Sequence, residues 1–243
     1  MQGLIIAAGQ GTRLRGVAPS KPLAEVGSAP LIEHVARAAV AGGVSELVVV
    51  TGYRPEPLEA FLETLGERLA VPLRIVRNPD WPGANGLSVL AAARHLQDAF
   101  ALLMSDHLFD PAILSGLAAG RPLDAALTLA VDRRVGNPQL DLDDATKVAL
   151  DGDRIVAIGK SLERYDAVDT GIFVAAPPLL EALDRALAEG GTGSLSEGVQ
   201  RLADAGLAAA WDSGEGWWLD VDDETAFAKA QAALAAQRRL PST

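Results

Sequence analysis

The chain has 243 residues, enough for one large domain or two small ones at roughly 100 to 200 residues each, and long enough to bury a core without covalent staples. Its 21 lysines and arginines against 32 acids leave a net charge of −11, the wrong sign for general nucleic-acid binding, and the absence of cysteine excludes disulfides, thiolate metal sites and a cysteine nucleophile. With 49% hydrophobic and 22% charged residues, the composition is that of a globular protein.

In chain order, apolar β-branched runs of strand length alternate with longer Ala/Leu-rich stretches of helical period. Strands are predicted at 3–8, 47–51, 73–76, 99–104 and 125–131, with helices between them at 31–41, 57–69, 87–97 and 111–118. This rhythm predicts parallel strands with crossover helices, a doubly wound sheet. The first run, 4–8, ends at Gly9 and is too short for a signal-peptide core; no run of about 18 apolar residues follows anywhere. The expectation is a soluble cytoplasmic protein with no direct membrane insertion.

After Val131 the chain becomes rich in Asp, Arg and Gly, and 147–150 with 154–158 reads as a hairpin closed by Asp151-Gly152-Asp153. The α/β pattern resumes with a strand at 168–175, helices at 178–188 and 195–205, short strands at 207–211 and 217–221, and a last helix at 224–239. With no repeat or linker to divide it, the sequence predicts a single domain over 1–243, decorated by an inserted β-rich region at 132–165.

The chemistry gathers at strand ends. The first strand runs into Gly9-Gln10-Gly11-Thr12-Arg13-Leu14-Arg15-Gly16, whose glycines let backbone N–H groups approach a phosphate. A dinucleotide fingerprint requires glycine where Leu14 stands, and a Walker loop requires Lys-Ser/Thr where Val17-Ala18 stand. What remains is a Gly-rich loop with its own arginines, followed by Pro19-Ser20-Lys21-Pro22-Leu23. Arg13 and Lys21 are placed to clamp a polyphosphate, while the bland alternative is a tight turn with solvated cations. Ligands in open α/β sheets sit at the carboxyl ends of strands, which favours the clamp.

Asp106, at the end of the strand 99–104, is a candidate magnesium ligand for the same reason, because Mg²⁺ needs few protein carboxylates. Asp220 is the second candidate; Asp222 or Asp223 is better explained as the cap of the last helix. The loop 78–86 contains Gly83, Asn85 and Gly86 and is able to wrap a planar base, although an ordinary surface loop explains it as well. Lys160 by itself reads as a solvated lysine. His34, His95 and His107 never occur at i, i+4 spacing, which argues against a histidine metal site, and His34 and His95 read as structural or exposed on helices. No G-x-S-x-G elbow suggests a covalent serine mechanism.

Together, the opening stretch Leu4-Ile5-Ile6-Ala7-Ala8-Gly9-Gln10-Gly11-Thr12-Arg13-Leu14 and Pro19-Ser20-Lys21-Pro22-Leu23 resemble the nucleotidyltransferase superfamily that makes activated sugars and alcohols. Further segments, Gly83-Ala84-Asn85-Gly86-Leu87-Ser88, Met104-Ser105-Asp106-His107, Ala145-Thr146-Lys147-Val148, Ile158-Gly159-Lys160, Val168-Asp169-Thr170-Gly171 and Leu195-Ser196-Glu197, are similar to the CTP:inositol-1-phosphate cytidylyltransferases. The resemblance implies a three-layer α/β/α, Rossmann-like fold with a mixed central sheet and an inserted hairpin. It also implies transfer of CMP from CTP to inositol 1-phosphate with Mg²⁺, giving CDP-inositol and pyrophosphate.

By the same resemblance, Ala7, Ala8, Gly9, Gly11, Thr12, Arg13, Lys21, Asn85, Gly86 and Ser88 would hold the nucleotide. Lys160, Asp169, Thr170, Gly171 and Glu197 would hold the acceptor, Asp106 and Asp220 the metal, and Arg13, Lys21 and Asp106 would be catalytic. The product would be consumed by a separate membrane CDP-alcohol phosphotransferase. A phosphate monoester is already ionised near neutral pH, so the reaction needs no histidine base. The alternatives are another phosphorylated acceptor with CTP, UTP or dTTP, a glycosyltransferase using Asp220-Val221-Asp222, and a catalytically silent nucleotide binder.

Overall fold

A computed structural model of the chain describes residues 1–14, 16–18, 20–137 and 140–237. Arg15, Pro19 and the expected last residues of the final helix, 238 and 239, lie outside the described residues. The order of elements is β1 (Gln2–Ala7), β2 (Glu25–Val26), β3 (Ala29–Pro30), α1 (Leu31–Ala41), β4 (Glu46–Thr51), α2 (Pro55–Leu69), β5 (Leu73–Arg77), α3 (Gly86–Ala91), β6 (Phe100–Met104) and β7 (His107–Phe109). It continues with α4 (Pro111–Gly120), β8 (Leu127–Asp132), β9 (Lys147–Asp151), β10 (Arg154–Gly159), β11 (Ala167–Ala175), α5 (Pro178–Ala188), α6 (Leu195–Asp204), β12 (Ala208–Asp212), β13 (Trp218–Asp220) and α7 (Glu224–Gln237).

Nine strands form one sheet in the order β5-β4-β1-β6-β11-β8-β12-β10-β9. The β5, β4, β1 and β6 strands are parallel, as the sequence rhythm requires, but β11 runs antiparallel to both β6 and β8. The sheet is therefore mixed, as the family resemblance implied, rather than the parallel sheet read from periodicity alone. The β9–β10 hairpin pairs with β12 on one side and with the start of β11 on the other, so the second half of the sheet rolls back on itself. Two-residue alternation alone cannot reveal strand direction, which explains why periodicity did not show the reversal.

Alternation on the first strand divides the core. Leu4, Ile6 and Ala8 join one apolar cluster with residues of α3, α5 and α6, while Ile5 and Ala7 join another with residues of α1, α2, α4 and α7. A buried strand must cover both faces, and the result is three layers. The predicted helix 87–97 is shorter than expected: α3 stops at Ala91, and a 3-10 turn follows over Ala93–His95. Gln2 fixes the chain where that turn ends, its side chain donating to the His95 carbonyl at 2.8 Å and accepting from the Gln97 N–H at 3.2 Å. Among the described residues, no helix is long and apolar enough to cross a membrane.

Candidate active site

The carboxyl ends of β1 and β6 open into a cleft of about 600 Å³. After β1 the chain turns through Gly11, whose φ of +57° puts it in the left-handed region, and enters a 3-10 turn over Thr12–Leu14. A Cβ on Gly11 would collide with the stem of Lys21, so glycine serves both the turn and the close approach. Lys21 itself starts a 3-10 turn, Lys21–Leu23, and is only 8% exposed, with its ammonium 2.5 Å from Asp106 Oδ2 and paired also with Asp222. Burial opposes its charge, but Asp106, Asp222 and Asp220 outweigh burial and hold it above the ordinary lysine value. Arg13 reaches across the cleft to Asp222 and Asp144.

Asp106 stands one residue beyond Ser105 in the turn after β6, and the chain then reverses into β7, which pairs antiparallel with β13 so that Asp220 lies opposite His107. The His107 ring is held between two carboxylates, with Nδ1 2.9 Å from Asp106 Oδ1 and Nε2 3.7 Å from Asp220 Oδ2. One potential ligand atom from each of Asp106, His107 and Asp220 lies within 4.8 Å of the others. Burial pushes Asp106 towards its neutral form, yet Lys21 and His107 overcome it and keep its carboxyl well below the usual range. For Asp220 burial prevails over the attraction of His107 and, with Asp106 and Asp222 nearby, pushes its pKa up to about 6. Burial also opposes charge on His107, but Asp220, Asp106 and Asp169 raise it to about 9. Asp220 Oδ1 is buried without a hydrogen-bond partner among the described residues, an orphaned acceptor that suits a cation.

On the far wall, β11 shifts register against β8 between Asp169 and Phe173, and such irregularities re-aim side chains. Asp169 and Gly171 line the cleft. The Gly171 N–H donates to Asp169 Oδ1 at 2.6 Å, and a Cβ on Gly171 would stand 2.5 Å from the His107 ring. Burial raises Asp169 to about 6 against that N–H and His107. Lys160, at the end of β10, also lines the cleft and pairs with Asp144. Trp81, Gly83, Asn85 and Ser88 form the wall beside α3, with Asn85 Oδ1 accepting from the Leu195 N–H at 2.8 Å.

Thus Ala8, Gly9, Gly11, Thr12, Arg13, Lys21, Asn85, Ser88, Asp106, Lys160, Asp169, Gly171 and Asp220 all line one cleft. Four expected residues do not. Ala7 points into the core on the opposite face of β1, and Gly86 packs against the Gly193 carbonyl. Thr170 is fully buried and donates its hydroxyl to the Ala130 carbonyl at 2.7 Å, because adjacent strand residues face opposite ways. Glu197 occupies a capping box: its carboxylate accepts from Thr192, Gly193 and Ser194 while Ser194 caps α6 in return. Of these four, the side chains of Ala7, Thr170 and Glu197 are engaged within the protein, and Gly86 has none to offer.

Capping by the acidic pair is also now divided. Asp223 Oδ1 accepts from the Ala226 N–H at 2.7 Å and caps α7, whereas Asp222 is held by Lys21 and Arg13. His34 is structural, its Nε2 2.8 Å from the Val26 carbonyl oxygen, and His95 ends the 3-10 turn after α3. Sequence reasoning missed three groups: His107 in the cluster, Asp144 between two cations, and Asp132. Asp132 is buried, takes Arg134 on both oxygens at 2.9 Å and accepts from the Trp218 indole at 2.9 Å, fixing the strand that carries Asp220. The adjacency of His107 to Asp106 was a usable signal; the pairing of 107 with 220 had none.

This fold and site define a nucleotide-handling α/β transferase architecture, and the chain belongs to the MobA-like NTP transferase domain family, which it matches over residues 3–205. It is 39% identical over 90% of its length to a bifunctional IPC transferase and DIPP synthase of Rubrobacter xylanophilus, of which it covers 48%, and 33% identical over 96% of its length to the protein of the same name from Archaeoglobus fulgidus, of which it covers 44%. The chain spans about half the length of these curated relatives. Among solved structures, the inositol-1-phosphate CTP transferase from T. maritima superimposes with a TM-score of 0.85 at 24% identity, covering 100% of this chain and 98% of that one.

Proposed function

We propose that this chain is a cytidylyltransferase that transfers CMP from CTP to inositol 1-phosphate, releasing pyrophosphate and CDP-inositol. The observation that carries this reading is the convergence of Arg13, Lys21 and Lys160 on one cleft that Asp106 and Asp220 also line, with Asp106 paired to Lys21. The names of the bifunctional relatives and of the T. maritima enzyme support the choice of substrates. We further propose a single domain over 1–243, with 132–165 as its acceptor side.

In this proposal the Gly9-Gly11 loop and Lys21 hold the triphosphate, with Asn85 and Ser88 beside the base, and Lys160 holds the acceptor phosphate. Asp169 faces the acceptor. The acceptor oxygen attacks the α-phosphorus in line, and positioning with charge neutralisation supplies the rate enhancement. Two like unit charges about 4 Å apart cost roughly 4 kcal/mol at an effective dielectric near 20, which is the repulsion these cations offset. Asp106 and Asp220 are the residues that would hold Mg²⁺, a fit supported by the orphaned Asp220 oxygen. When bound, the ion supplies further neutralisation of nucleotide phosphate charge. Use of CTP also fits the cytoplasmic location expected from the sequence, and a membrane CDP-alcohol phosphotransferase is the proposed consumer of the product.

The test is pyrophosphate release with Mg²⁺, crossing CTP, UTP, dTTP and ATP with inositol 1-phosphate, glucose 1-phosphate and a small alcohol phosphate. Release with CTP and inositol 1-phosphate is expected. Release with a different pair moves the substrate, and silence across the grid overturns nucleotidyl transfer.

A further inference from the structure

The two carboxylates proposed to hold Mg²⁺ come from different sheets. Asp106 stands in the turn after β6, a strand of the nine-stranded sheet, whereas Asp220 ends β13, which pairs with β7 in a separate two-stranded sheet. Their separation therefore depends on what fastens β13 to the larger sheet. Backbone bonds fasten it to β7 and to the turn before β7, where the Val221 N–H donates to the Asp106 carbonyl at 3.0 Å. A side-chain bond fastens it to the larger sheet through Asp132, the last residue of β8.

Asp132 is fully buried and accepts four hydrogen bonds. The Arg134 backbone N–H at 2.8 Å and Nε at 2.9 Å donate to Oδ1, while Arg134 Nη2 and the Trp218 indole N–H, both at 2.9 Å, donate to Oδ2. Arg134 Nη2 also donates to the Gly216 carbonyl at 3.2 Å, so one carboxylate directs both the backbone entering β13 and a ring upon it. A buried ion pair gains little net stability over apolar packing, but a carboxylate with its lone pairs engaged fixes the direction of every donor. Trp218 and Asp220 are two residues apart on one strand and face the same way, into the cleft. The Trp218 ring lies parallel to the His107 ring, with 8° between planes and 6.3 Å between centroids. His107 in turn reaches Asp106 at 2.9 Å and Asp220 at 3.7 Å.

We propose that Asp132 is a positioning residue for the metal site, acting through the Trp218 indole to hold β13 and the His107 ring where Asp106 and Asp220 close on one ion. The proposal rests on the ion site put forward above. Asp132 acts from behind the ligands, with its charge already neutralised by Arg134. Without the bond from the indole, the Trp218 ring loses its fixed direction, and His107 and Asp220 lose the surface that sets their place. Mg²⁺ tolerates little departure from octahedral geometry, and groups that orient metal ligands typically set metal affinity by about 10- to 100-fold.

The test reads metal binding without nucleotide or turnover. Mn²⁺ alone is titrated into the full chain, and the free ion is followed by electron paramagnetic resonance. Wild type should bind an ion that Asp220→Asn loses, which locates it at the cluster. Trp218→Phe keeps an aromatic ring and the charge of Asp132 but removes the indole N–H, and it should weaken Mn²⁺ binding about tenfold. Its melting temperature should fall by only about 2–4 °C, so the folded fraction is unchanged and a merely structural role would leave the affinity where it was. Asp132→Asn should weaken binding by the same factor and the double variant no further, because both substitutions break one link. Trp217→Phe, at the residue before it, which does not line the cleft, should bind as wild type does. Wild-type affinity in Trp218→Phe, losses that multiply in the double variant, or an equal loss in Trp217→Phe overturns the proposal. Should Asp132→Asn fail to fold, Trp218→Phe decides alone. Wild-type affinity in Asp220→Asn removes the ion site and the proposal with it, whereas pyrophosphate release by the wild-type chain reads the proposed transfer separately.

Discussion

The parallel strands β5, β4, β1 and β6 and the antiparallel group of β11, β8, β12, β10 and β9 both deliver cations to the cleft, but they hold them differently. On the parallel side, Lys21 is buried against Asp106 and Asp222, and the packing of its stem on Gly11 leaves it one position. On the other side, Lys160 stands at the end of a hairpin, largely exposed, with a carboxylate partner from an irregular connection. The comparison teaches that one wall holds its cation buried in a fixed place, while the other leaves its cation exposed against a partner from an irregular connection. That division is what the proposed transfer, with one anion fixed and a second brought beside it, would use.

The largest effect should come from the organised wall. Asp106→Asn keeps the size of the side chain but removes a charge from Lys21, His107 and the proposed ion site, so kcat for pyrophosphate release should fall about 10²- to 10³-fold. Wild-type turnover at saturating Mg²⁺ would break the comparison at its strongest point. Lys160→Ala probes the exposed wall: the acceptor's KM should rise about tenfold, with the KM of CTP changed less than about twofold. A parallel rise in both constants would mean that the two walls do not divide the substrates.

Behind each wall a helix carries an acid that serves stability. Glu33 on α1 is 6% exposed and accepts from Arg37 at 2.6 Å and Arg68 at 2.8 Å. Burial would raise its pKa, but the two guanidiniums overcome this and lower it. A depressed folded-state pKa stabilises above the unfolded value of about 4.3, and that contribution disappears as pH falls through the folded value. Glu33→Gln should therefore cost about 1–2 kcal/mol near pH 7, after allowance for the half-exposed arginines, and the difference from wild type in denaturant unfolding should shrink below about pH 4. A difference that grows with acid would contradict the sign. The smallest effect belongs to Glu197→Ala on α6, which loses the capping box at about 1 kcal/mol and should leave both Michaelis constants unchanged. A raised acceptor KM in that variant would return Glu197 to the substrate wall.

Local chemistry made much of the molecule legible. The bounds of α1 and α5 follow from apolar spacing alone, because a helix that buries one face must repeat it every three or four residues. Strand ends fall where β-branched runs meet glycine or aspartate, which is why Lys21 and Asp106 were visible as candidates beside the sheet edge. Ala7 and Thr170 show the limit of carrying a motif over as a block: within one strand, neighbouring residues face opposite ways, and only every second one reaches the cleft.

What the sequence by itself determined is the succession of strands and helices, the glycine-rich loop after the first strand and the sign of the charges available at strand ends, all set by residues near one another in the chain. Tertiary structure alone decided that β11 runs against its neighbours, that Asp220 stands opposite His107, that Asp222 binds cations while Asp223 caps a helix, and that Asp144 lies between Arg13 and Lys160. These are contacts between groups as many as 209 residues apart. No periodicity encodes them, because each depends on strand register and on where the competition between burial and ion pairing leaves a side chain.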